Sequence, residues 1–358
     1  MKNEKLKGSF GLLHDGVWLP ILSSSLIGAF RSVRERGSSN MLPYSEIQLP
    51  VLVIAPHPDD EWLSSAGLLS EISHFGDNVD VVIFSDGEKY GSLMRNHSGK
   101  QNKQLLAEAR YQESVSALRY LTGYNIHPIR MSVPDGSISS ILRDETILNK
   151  VCNFLLSKML DKKYGTIIFP HFFDDHPDHW STSIITLLTI DMFLNSCPNK
   201  PNVLPLMYLT HFGNYPLRGS SNHLSLCPPF MESDPNWMSY LLDSDAYRLK
   251  RTALKLYRSQ IFSPSYAIYL SAFVKKNELF YNLDLTKKLD FTLPEKNFVK
   301  SREFIKFYQS GNFVKYEKII TDSPNFLPCD ENCKRVVLKT DPYGKTKVAA
   351  VFWEFNER

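Results

Sequence analysis

The sequence is poor in cysteine, lacks any long apolar run and has almost no excess of either charge. Only 5 cysteines occur among 358 residues, too few for the disulfide framework of a small secreted domain and consistent with a reducing compartment. No stretch of about twenty apolar residues is present, so we expect no membrane-spanning helix. Lysine and arginine number 41 and aspartate and glutamate 38. This argues against a nucleic-acid partner, because nucleic-acid-binding proteins usually have a concentrated basic excess. These absences favour a globular, cytoplasmic protein.

The two ends of the chain differ from its middle. Residues 1–48 begin with a basic segment and include an apolar stretch, 17–30, that resembles part of a signal peptide but is followed by no small-residue cleavage site. We interpret 1–48 as an N-terminal extension, in which 17–30 could touch a membrane although membrane contact is not predicted. At the other end, the β-rich runs 336–339 and 347–354 flank an Asp-Pro-Tyr-Gly turn and predict a hairpin. Residues 286–358 are therefore interpreted as a C-terminal β-rich extension.

Between these ends, short apolar runs alternate with segments of helical spacing. The strand-like runs are 51–55, 79–84, 126–133, 165–169 and 203–210. The helical segments are 63–75, 101–121, 145–160, 181–194 and 245–260. This alternation predicts a Rossmann-like three-layer α/β/α sandwich with a largely parallel sheet, to which the C-terminal β-hairpin extension is added.

Four polar clusters directly follow predicted strands. They are residues 56–61, 85–87, 134–136 and 171–179. In open α/β sheets, ligands bind outside the carboxyl ends of the strands. We therefore expect all four clusters to meet at one rim of the sheet.

Two of these clusters combine histidine with carboxylates. PHPDDE at 56–61 contains three adjacent carboxylates, which repel one another unless a cation or a helix N-terminus neutralises them. FDDHPDH at 173–179 contains two histidines three residues apart, which lie on a similar side of a helical turn. Either motif alone would also suit a capped helix start. Together, at one rim, they predict a metal site.

The available ligand atoms are imidazole nitrogen and carboxylate oxygen, which suit zinc or another borderline divalent ion. A catalytic zinc site commonly uses three protein ligands and leaves one position for water. Such a set takes two residues from the first motif and one from the second: His57, Asp59 or Asp60, and His176 or His179. The remaining carboxylate and imidazole are then free for proton transfer, which indicates metal-assisted hydrolysis.

Together the two motifs resemble the PIG-L/LmbE-like family of zinc-dependent de-N-acetylases, in which (A/P)HPDDE follows a strand and a later HxxH precedes a helix. Here they stand as PHPDDE at 56–61 and HPDH at 176–179. Weaker similarities follow in the family's order, at Arg110, Glu113, Asp135, Gly136, Lys250, Ser259, Gln260 and Glu278. The resemblance covers residues 49–285, which we interpret as a deacetylase domain.

The resemblance implies a ligand set and a base. His57, Asp60 and His179 would hold one Zn²⁺ per chain, with other divalent metals as alternatives. Asp59 would be the general base that activates the zinc-bound water. The implied reaction removes the acetyl group from an N-acetylglucosamine-type aminosugar, either a small molecule or a glycoconjugate.

The resemblance also implies roles around these ligands. His176 would stabilise the oxyanion, and Asp178 would orient His176 by a hydrogen bond. Arg110 and Asp135 are candidates for contacting substrate hydroxyls or a phosphate. The alternatives are an ion pair between Arg110 and Glu113, and a turn role for Asp135.

Two other functions compete with deacetylation. One is a metal-dependent hydrolase of another amide or acyl substrate, and the other is a non-catalytic sugar-binding member of the same fold. Asp59 argues against a pure binder, because a binder needs no spare base. No Gly-rich turn follows the first strand, which argues against nucleotide binding. The sequence departs from the family at Asp174, where some branches have a mobile tyrosine.

Overall fold

We describe the protein from a computed structural model. The described residues are 39–73, 78–89, 100–197, 201–213, 215–217, 225–228, 235–292, 303–310, 313–320, 333–340 and 346–355. The apolar stretch 17–30, most of the extension 1–48, and the predicted turn at 341–344 lie outside these ranges. Within them, no helix combines the length and apolar composition needed to cross a membrane.

The main sheet has eight strands. They are β1 Asn40–Met41, β2 Val51–Ala55, β3 Val79–Ser85, β4 Ile129–Val133, β5 Thr166–Pro170, β6 Leu204–Tyr208, β7 Trp237–Leu241 and β8 Asn277–Asn282. Their order is β1-β7-β8-β6-β5-β2-β3-β4. The five strands predicted from the sequence, β2 to β6, pair in parallel with one another. Strand β8 is antiparallel to β6 and β7, and neither β7 nor β8 was predicted.

Helices cover the sheet on both faces. They are α1 Asp60–Ile72, α2 Lys100–Thr122, α3 Ile138–Ile141, α4 Glu145–Lys162, α5 Pro177–Ser196, α6 Ser244–Ala253, α7 Arg258–Ile261 and α8 Pro264–Ser271. Every residue of β2 is buried. Leu52 and Ile54 join an apolar cluster that includes residues of α4 and α5, and Val51 and Val53 join another that has no residue of those two helices. Helices α1, α2 and α6 contribute residues to both clusters. Because alternate residues of a strand point to opposite faces, this confirms the three-layer sandwich.

One predicted helix is interrupted. The segment 245–260 forms α6, a short 3-10 turn at Leu254–Leu256, and α7. The chain leaves helical geometry at Tyr257, with φ −82° and ψ 58°. The Tyr257 hydroxyl donates to Glu61 Oε1 at 2.8 Å, and Gln260 Nε2 donates to the Pro58 carbonyl at 2.8 Å. The break therefore accompanies side-chain contacts with the first His/Asp motif, which helical periodicity does not show.

The C-terminal extension is a five-stranded antiparallel sheet. Its strands are β9 Leu289–Thr292, β10 Glu303–Ser310, β11 Phe313–Ile320, β12 Cys333–Thr340 and β13 Thr346–Trp353. Their order is β11-β10-β12-β13-β9. The predicted terminal hairpin, β12 with β13, is confirmed. The remaining three strands enlarge the extension beyond the hairpin that the sequence indicated.

The second sheet shares its core with the first. Phe307, Val314 and Trp353 belong to the same apolar cluster as residues of α4 and α5. Lys334 Nζ lies 2.8 Å from Asp191 Oδ2, and both side chains are about 1% exposed. A domain boundary at residue 285 stays a prediction, and Leu283, Leu285 and Leu289 around it belong to one apolar cluster.

The ion pair between Lys334 and Asp191 yields a test of this packing. Replacing Lys334 by Met should destabilise the protein by about 3–5 kcal/mol, because the buried Asp191 carboxylate loses its compensating charge. Lys288→Met is the matched control, since Lys288 pairs with Glu354 at a side-chain exposure of 61% and such a change should cost under about 0.5 kcal/mol. Denaturant unfolding measures both. Equal stability of the two variants would show that the buried pair does not hold the sheets together.

Candidate active site

The rim predicted from the sequence is present. The loops after β2, β4, β5 and β6 bring together His57, Asp59, Asp60, Asp135, Asp174, His176, Asp178, His179 and His211. The ring centroid of His57 lies 5.0 Å from that of His176 and 5.3 Å from that of His179. Residues more than a hundred positions apart therefore meet because their strands end at the same edge of the sheet.

Two imidazole nitrogens lie close to one carboxylate oxygen of Asp60. Asp60 Oδ2 lies 3.3 Å from His57 Nδ1 and 3.3 Å from His179 Nε2. Asp60 and His179 are 1% and 0% exposed. Two imidazole nitrogens thus approach the same buried carboxylate oxygen from different elements.

The tautomer of His179 follows from its other nitrogen. Thr210 Oγ1 donates its proton to Asp174 Oδ2 at 3.0 Å. His179 Nδ1 lies 2.9 Å from Thr210 Oγ1 and 3.3 Å from Asp174 Oδ2. Because the hydroxyl proton is already used, Nδ1 must carry the proton and donate. In a neutral ring, Nε2 then has a lone pair that faces the lone pairs of Asp60 Oδ2.

Two lone pairs that face each other in a buried site require a cation between them. Burial alone would lower the pKa of His179, but the carboxylates of Asp174 and Asp60 raise it to about 10. A proton is thus one cation that meets the demand, and a metal ion is another. His179 Nε2 is buried and makes no hydrogen bond to any described residue, which is the condition expected of a ligand atom.

The spacing also fits a metal ion. Two ligand atoms at about 2.0–2.1 Å from a tetrahedral zinc ion are about 3.3–3.4 Å apart, and the separations at Asp60 Oδ2 are 3.3 Å. Ligand atoms of His57, His176 and His179 also lie within 4.8 Å of one another. The structure therefore offers a His/Asp group that could hold a divalent cation.

The other nitrogen of His57 is held by carboxylates. Nε2 lies 3.3 Å from Asp178 Oδ2 and 3.4 Å from Asp135 Oδ1. These three residues form a second group of possible ligands. We interpret it as support for His57, because a metal-binding imidazole commonly donates its second N–H to a carboxylate. Burial would raise the pKa of Asp135, but the hydrogen bond with His57 holds it below its usual range.

The hydrogen bond between Asp178 and His176 is made by the backbone N–H of Asp178, whereas its carboxylate has other partners. Asp178 Oδ2 accepts from the Gly136 backbone N–H at 2.7 Å, and Oδ1 accepts from that of Ile138 at 3.0 Å. With His57 also on Oδ2, both oxygens are engaged away from His176. Asp178 therefore orients His57 and joins the loop after β4 to α5.

His176 is positioned by the backbone instead. Its Nδ1 accepts from the Asp178 N–H at 3.2 Å, so a neutral His176 carries its proton on Nε2. Burial, reinforced by the charge of His57, lowers the pKa of His176 and favours this neutral form. His176 thus presents a hydrogen-bond donor at a partly exposed position.

Asp59 has a strained backbone and a buried carboxyl group. Its φ of 141° is sparsely populated by residues other than glycine and is a feature of functional sites. Burial raises the pKa of the Asp59 carboxyl to about 8, Arg110 opposes that rise, and Asp60 adds to it. Arg110 Nη2 lies 3.5 Å from Asp59 Oδ1.

Arg110 is buried beneath the first motif. Its Nη1 donates to the Gly87 carbonyl at 2.7 Å and its Nη2 to the Pro58 carbonyl at 2.9 Å. Glu113 accepts from the N–H and Oγ of Ser259, each at 2.7 Å, and the alternative ion pair between Arg110 and Glu113 stays a prediction. Arg110 therefore supports the turn that carries Asp59, and a substrate contact stays a prediction.

Both His/Asp motifs lie in a part of the chain that is similar to a known family. Residues 52–190 match the family model described as PIG-L, GlcNAc-PI de-N-acetylase. This segment of the chain is similar to the PIG-L family. It runs from β2 into α5 and so contains both His/Asp motifs. No curated protein matches the chain.

Three solved structures show the range of distant similarity. N,N'-diacetylchitobiose deacetylase from Pyrococcus horikoshii is 18% identical over 66% of this chain and 84% of its own, with a TM-score of 0.45. Teicoplanin deacetylase in a zinc-inhibited form is 15% identical over 65% of this chain and 97% of its own, with a TM-score of 0.44. The 4-carboxy-2-hydroxymuconate hydratase of Pseudomonas putida is 13% identical over 70% of this chain and 99% of its own, with a TM-score of 0.46. Similarity this distant, shared with a hydratase, does not decide the reaction.

Residues beyond the PIG-L segment contact α1, the helix that begins within the first motif. Lys250 Nζ lies 2.7 Å from Glu278 Oε1, and both side chains are fully buried. Glu278 also accepts from the backbone N–H groups of Gly67 and Leu68, where α1 leaves helical geometry at Ser65. These contacts give a structural role to the weaker similarities noted at positions 250 and 278.

Sequence reasoning missed several residues at the site. Asp174 lies inside the second motif but was noted only for departing from the family. His211 directly follows the fifth predicted strand, and a histidine at a strand end was the available signal. Thr210 contacts His179, and the Tyr269 hydroxyl lies 3.2 Å from His211 Nδ1. Tyr269 lies on α8, and no sequence signal marks it.

The contact between Asp174 and His179 predicts an effect on metal affinity. Asp174→Asn should weaken zinc binding by about 10- to 100-fold, because the carboxylate that accepts from a metal-binding imidazole is lost. Competition against a chromogenic chelator measures the affinity. Asp175→Asn is the control, since Asp175 contacts Lys347 and the Gly213 N–H. Equal zinc affinity of the two folded variants would show that Asp174 does not support the zinc ligand His179.

The close approach of Gly87 to Arg110 predicts an effect on stability. A Cβ at Gly87 would overlap Arg110 Nη1, and Gly87 has φ +63°. Gly123 also has a left-handed φ, +76°, but a Cβ at Gly123 would have nothing within 4 Å. Both Ala variants should suffer the strain of about 1–2 kcal/mol, and Gly87→Ala should lose about 1–3 kcal/mol more by displacing Arg110. Unfolding free energies measure the difference between the two variants. Equal values would mean that the Arg110 side chain can move aside without loss of stability.

Proposed function

We propose that this chain is a zinc-dependent de-N-acetylase acting on an N-acetylglucosamine-type aminosugar. The observation that carries the proposal is the approach of His57 Nδ1 and His179 Nε2 to one oxygen of Asp60, beside the spare carboxyl of Asp59. Its occurrence in a PIG-L segment supports deacetylation over other hydrolyses. The reaction is R–NH–CO–CH₃ plus water to R–NH₃⁺ plus acetate.

In this proposal, His57, Asp60 and His179 hold one zinc ion. When bound, such a cation polarises an amide carbonyl and lowers the pKa of water and of nearby carboxyl groups. Asp174 and Asp178 hold the second nitrogens of the two imidazoles, so that both ligand nitrogens keep their lone pairs.

Asp59 is the proposed base. Its carboxylate takes a proton from the attacking water and afterwards gives a proton to the leaving nitrogen. The contacts of Arg110 with Asp59 Oδ1 and with the Pro58 carbonyl keep that carboxylate in place. A pure sugar-binding protein would have no use for a carboxyl group held in this strained position.

His176 is the proposed oxyanion donor. Its Nε2–H donates to the amide oxygen as negative charge develops there, and the Asp178 N–H on Nδ1 fixes the required tautomer. Asp135 is proposed to contact a substrate hydroxyl, because its side chain is 14% exposed beside His57. Arg110 is 4% exposed, so we assign it to Asp59 rather than to the substrate.

The test is acetate release from methyl N-acetylglucosaminide and from N-acetylated oligosaccharides. Asp59→Asn should lower kcat by about 10²- to 10⁴-fold while the zinc content is kept, because only proton transfer is lost. His179→Ala should lose zinc and activity together. A chelator should abolish the activity of the wild type, and zinc should restore it.

Asp86→Asn provides the matched control. Asp86 follows β3 at the same rim but is paired with Arg130 at 3.1 Å, so this variant should keep its activity. Acetate release by a fully chelated enzyme would contradict metal dependence. Zinc binding without acetate release over the whole panel would favour the sugar-binding alternative.

A further inference from the structure

A fourth imidazole borders the site and has no role in the proposed reaction. His211 lies at the end of β6, with its ring centroid 4.8 Å from that of His179 and 5.3 Å from that of His176. It is partly exposed. It lies beyond the PIG-L segment, which ends at residue 190.

The tautomer of His211 follows from the hydroxyl of Tyr269. Tyr269 Oη donates to the Thr210 carbonyl at 2.8 Å, and a carbonyl oxygen can only accept. His211 Nδ1 lies 3.2 Å from the same Oη. Because the single hydroxyl proton is already used, Nδ1 must carry a proton and donate to Oη. The two rings are stacked at 5.6 Å and 8°, which fixes the orientation of the imidazole.

The second nitrogen of His211 is therefore an acceptor. Nε2 of a neutral ring protonated on Nδ1 has a lone pair, and no described residue makes a hydrogen bond with it. The neighbouring His176 has the opposite tautomer and presents a donor. The site thus places a donor and an acceptor on adjacent rings, and the lone pair on His179 faces Asp60 instead.

We propose that His211 Nε2 accepts a hydrogen bond from the substrate, and that Tyr269 is the positioning residue that holds the required tautomer. The donor is the amide N–H or the sugar hydroxyl on the carbon next to it, because His176 beside His211 engages the amide oxygen. This inference rests on the proposed deacetylation. His211 would then determine specificity, because an acyl substrate without the amide N–H or the neighbouring hydroxyl would leave its Nε2 without a hydrogen bond.

The first test is the tautomer itself, which does not depend on activity. Long-range ¹H–¹⁵N spectra of the zinc-loaded wild type should show His211 protonated on Nδ1. Tyr269→Phe should produce a mixture of tautomers, whereas Tyr266→Phe on the same helix should not. Adding methyl N-acetylglucosaminide should shift the Nε2 resonance. Protonation on Nε2, or no shift at saturating sugar, would overturn the inference even if the enzyme proves to be a deacetylase.

The second test separates binding from metal ligation. His211→Phe keeps the stacked ring and removes both nitrogens, and it should lower kcat/KM by about 10- to 100-fold, mainly through KM. Its zinc content should equal that of the wild type. Loss of zinc would overturn the inference by making His211 a ligand. Tyr269→Phe should have the same type of effect, smaller in size.

Substrate analogues identify the donor. The penalty of His211→Phe should disappear with the 3-deoxy sugar if the hydroxyl is the donor. It should disappear with the O-acetyl ester analogue if the amide N–H is the donor. A full penalty with both analogues would overturn the inference. If the wild type releases no acetate at all, the proposed function fails, while the tautomer and the sugar-induced shift still decide the role of His211.

Discussion

The buried carboxylate of Asp174 holds the site together. It accepts hydrogen bonds from the backbone N–H groups of His176, Thr210 and His211, and from the Thr210 hydroxyl, and it lies 3.3 Å from His179 Nδ1. Burial would raise the pKa of Asp174, but the charge of His179 holds it below its usual range. A charge buried at this depth is tolerable only because it is compensated so fully. Through it, the loop after β5 is joined to the end of β6.

The first motif is also held by hydrogen bonds, and the residues that make them lie far along the chain. The carbonyl of Pro58 accepts from both Arg110 and Gln260, and Arg110 also reaches the carbonyl of Gly87. These partners come from α2, α7 and the loop after β3. Together these hydrogen bonds allow Asp59 to keep a backbone conformation that would relax in a free peptide. A strained, buried carboxyl group is thus preserved by elements that carry no motif of their own.

The predicted fold was correct where local pattern decides structure. Short, wholly apolar runs become buried parallel strands, because both faces of the sheet are covered by helices. Strands β7 and β8 escaped detection because they lie outside the strand–helix alternation, and β8 runs antiparallel to both of its neighbours. The size of the second sheet was also missed, although it packs on α5 through Lys334 and Asp191. It also reaches Asp175 of the second motif through Lys347.

The sequence by itself determined the chemistry that is available. Histidines and aspartates directly after predicted strands placed His57, Asp60 and His179 at one rim, because the carboxyl ends of parallel strands share an edge. Only the tertiary structure decided the direction of each hydrogen bond. The tautomers of His179 and His211 depend on whether a hydroxyl proton has already been donated elsewhere. For His211, that hydroxyl belongs to Tyr269, on a helix far along the chain. No local pattern records such a contact, because it exists only once the strands and helices have packed.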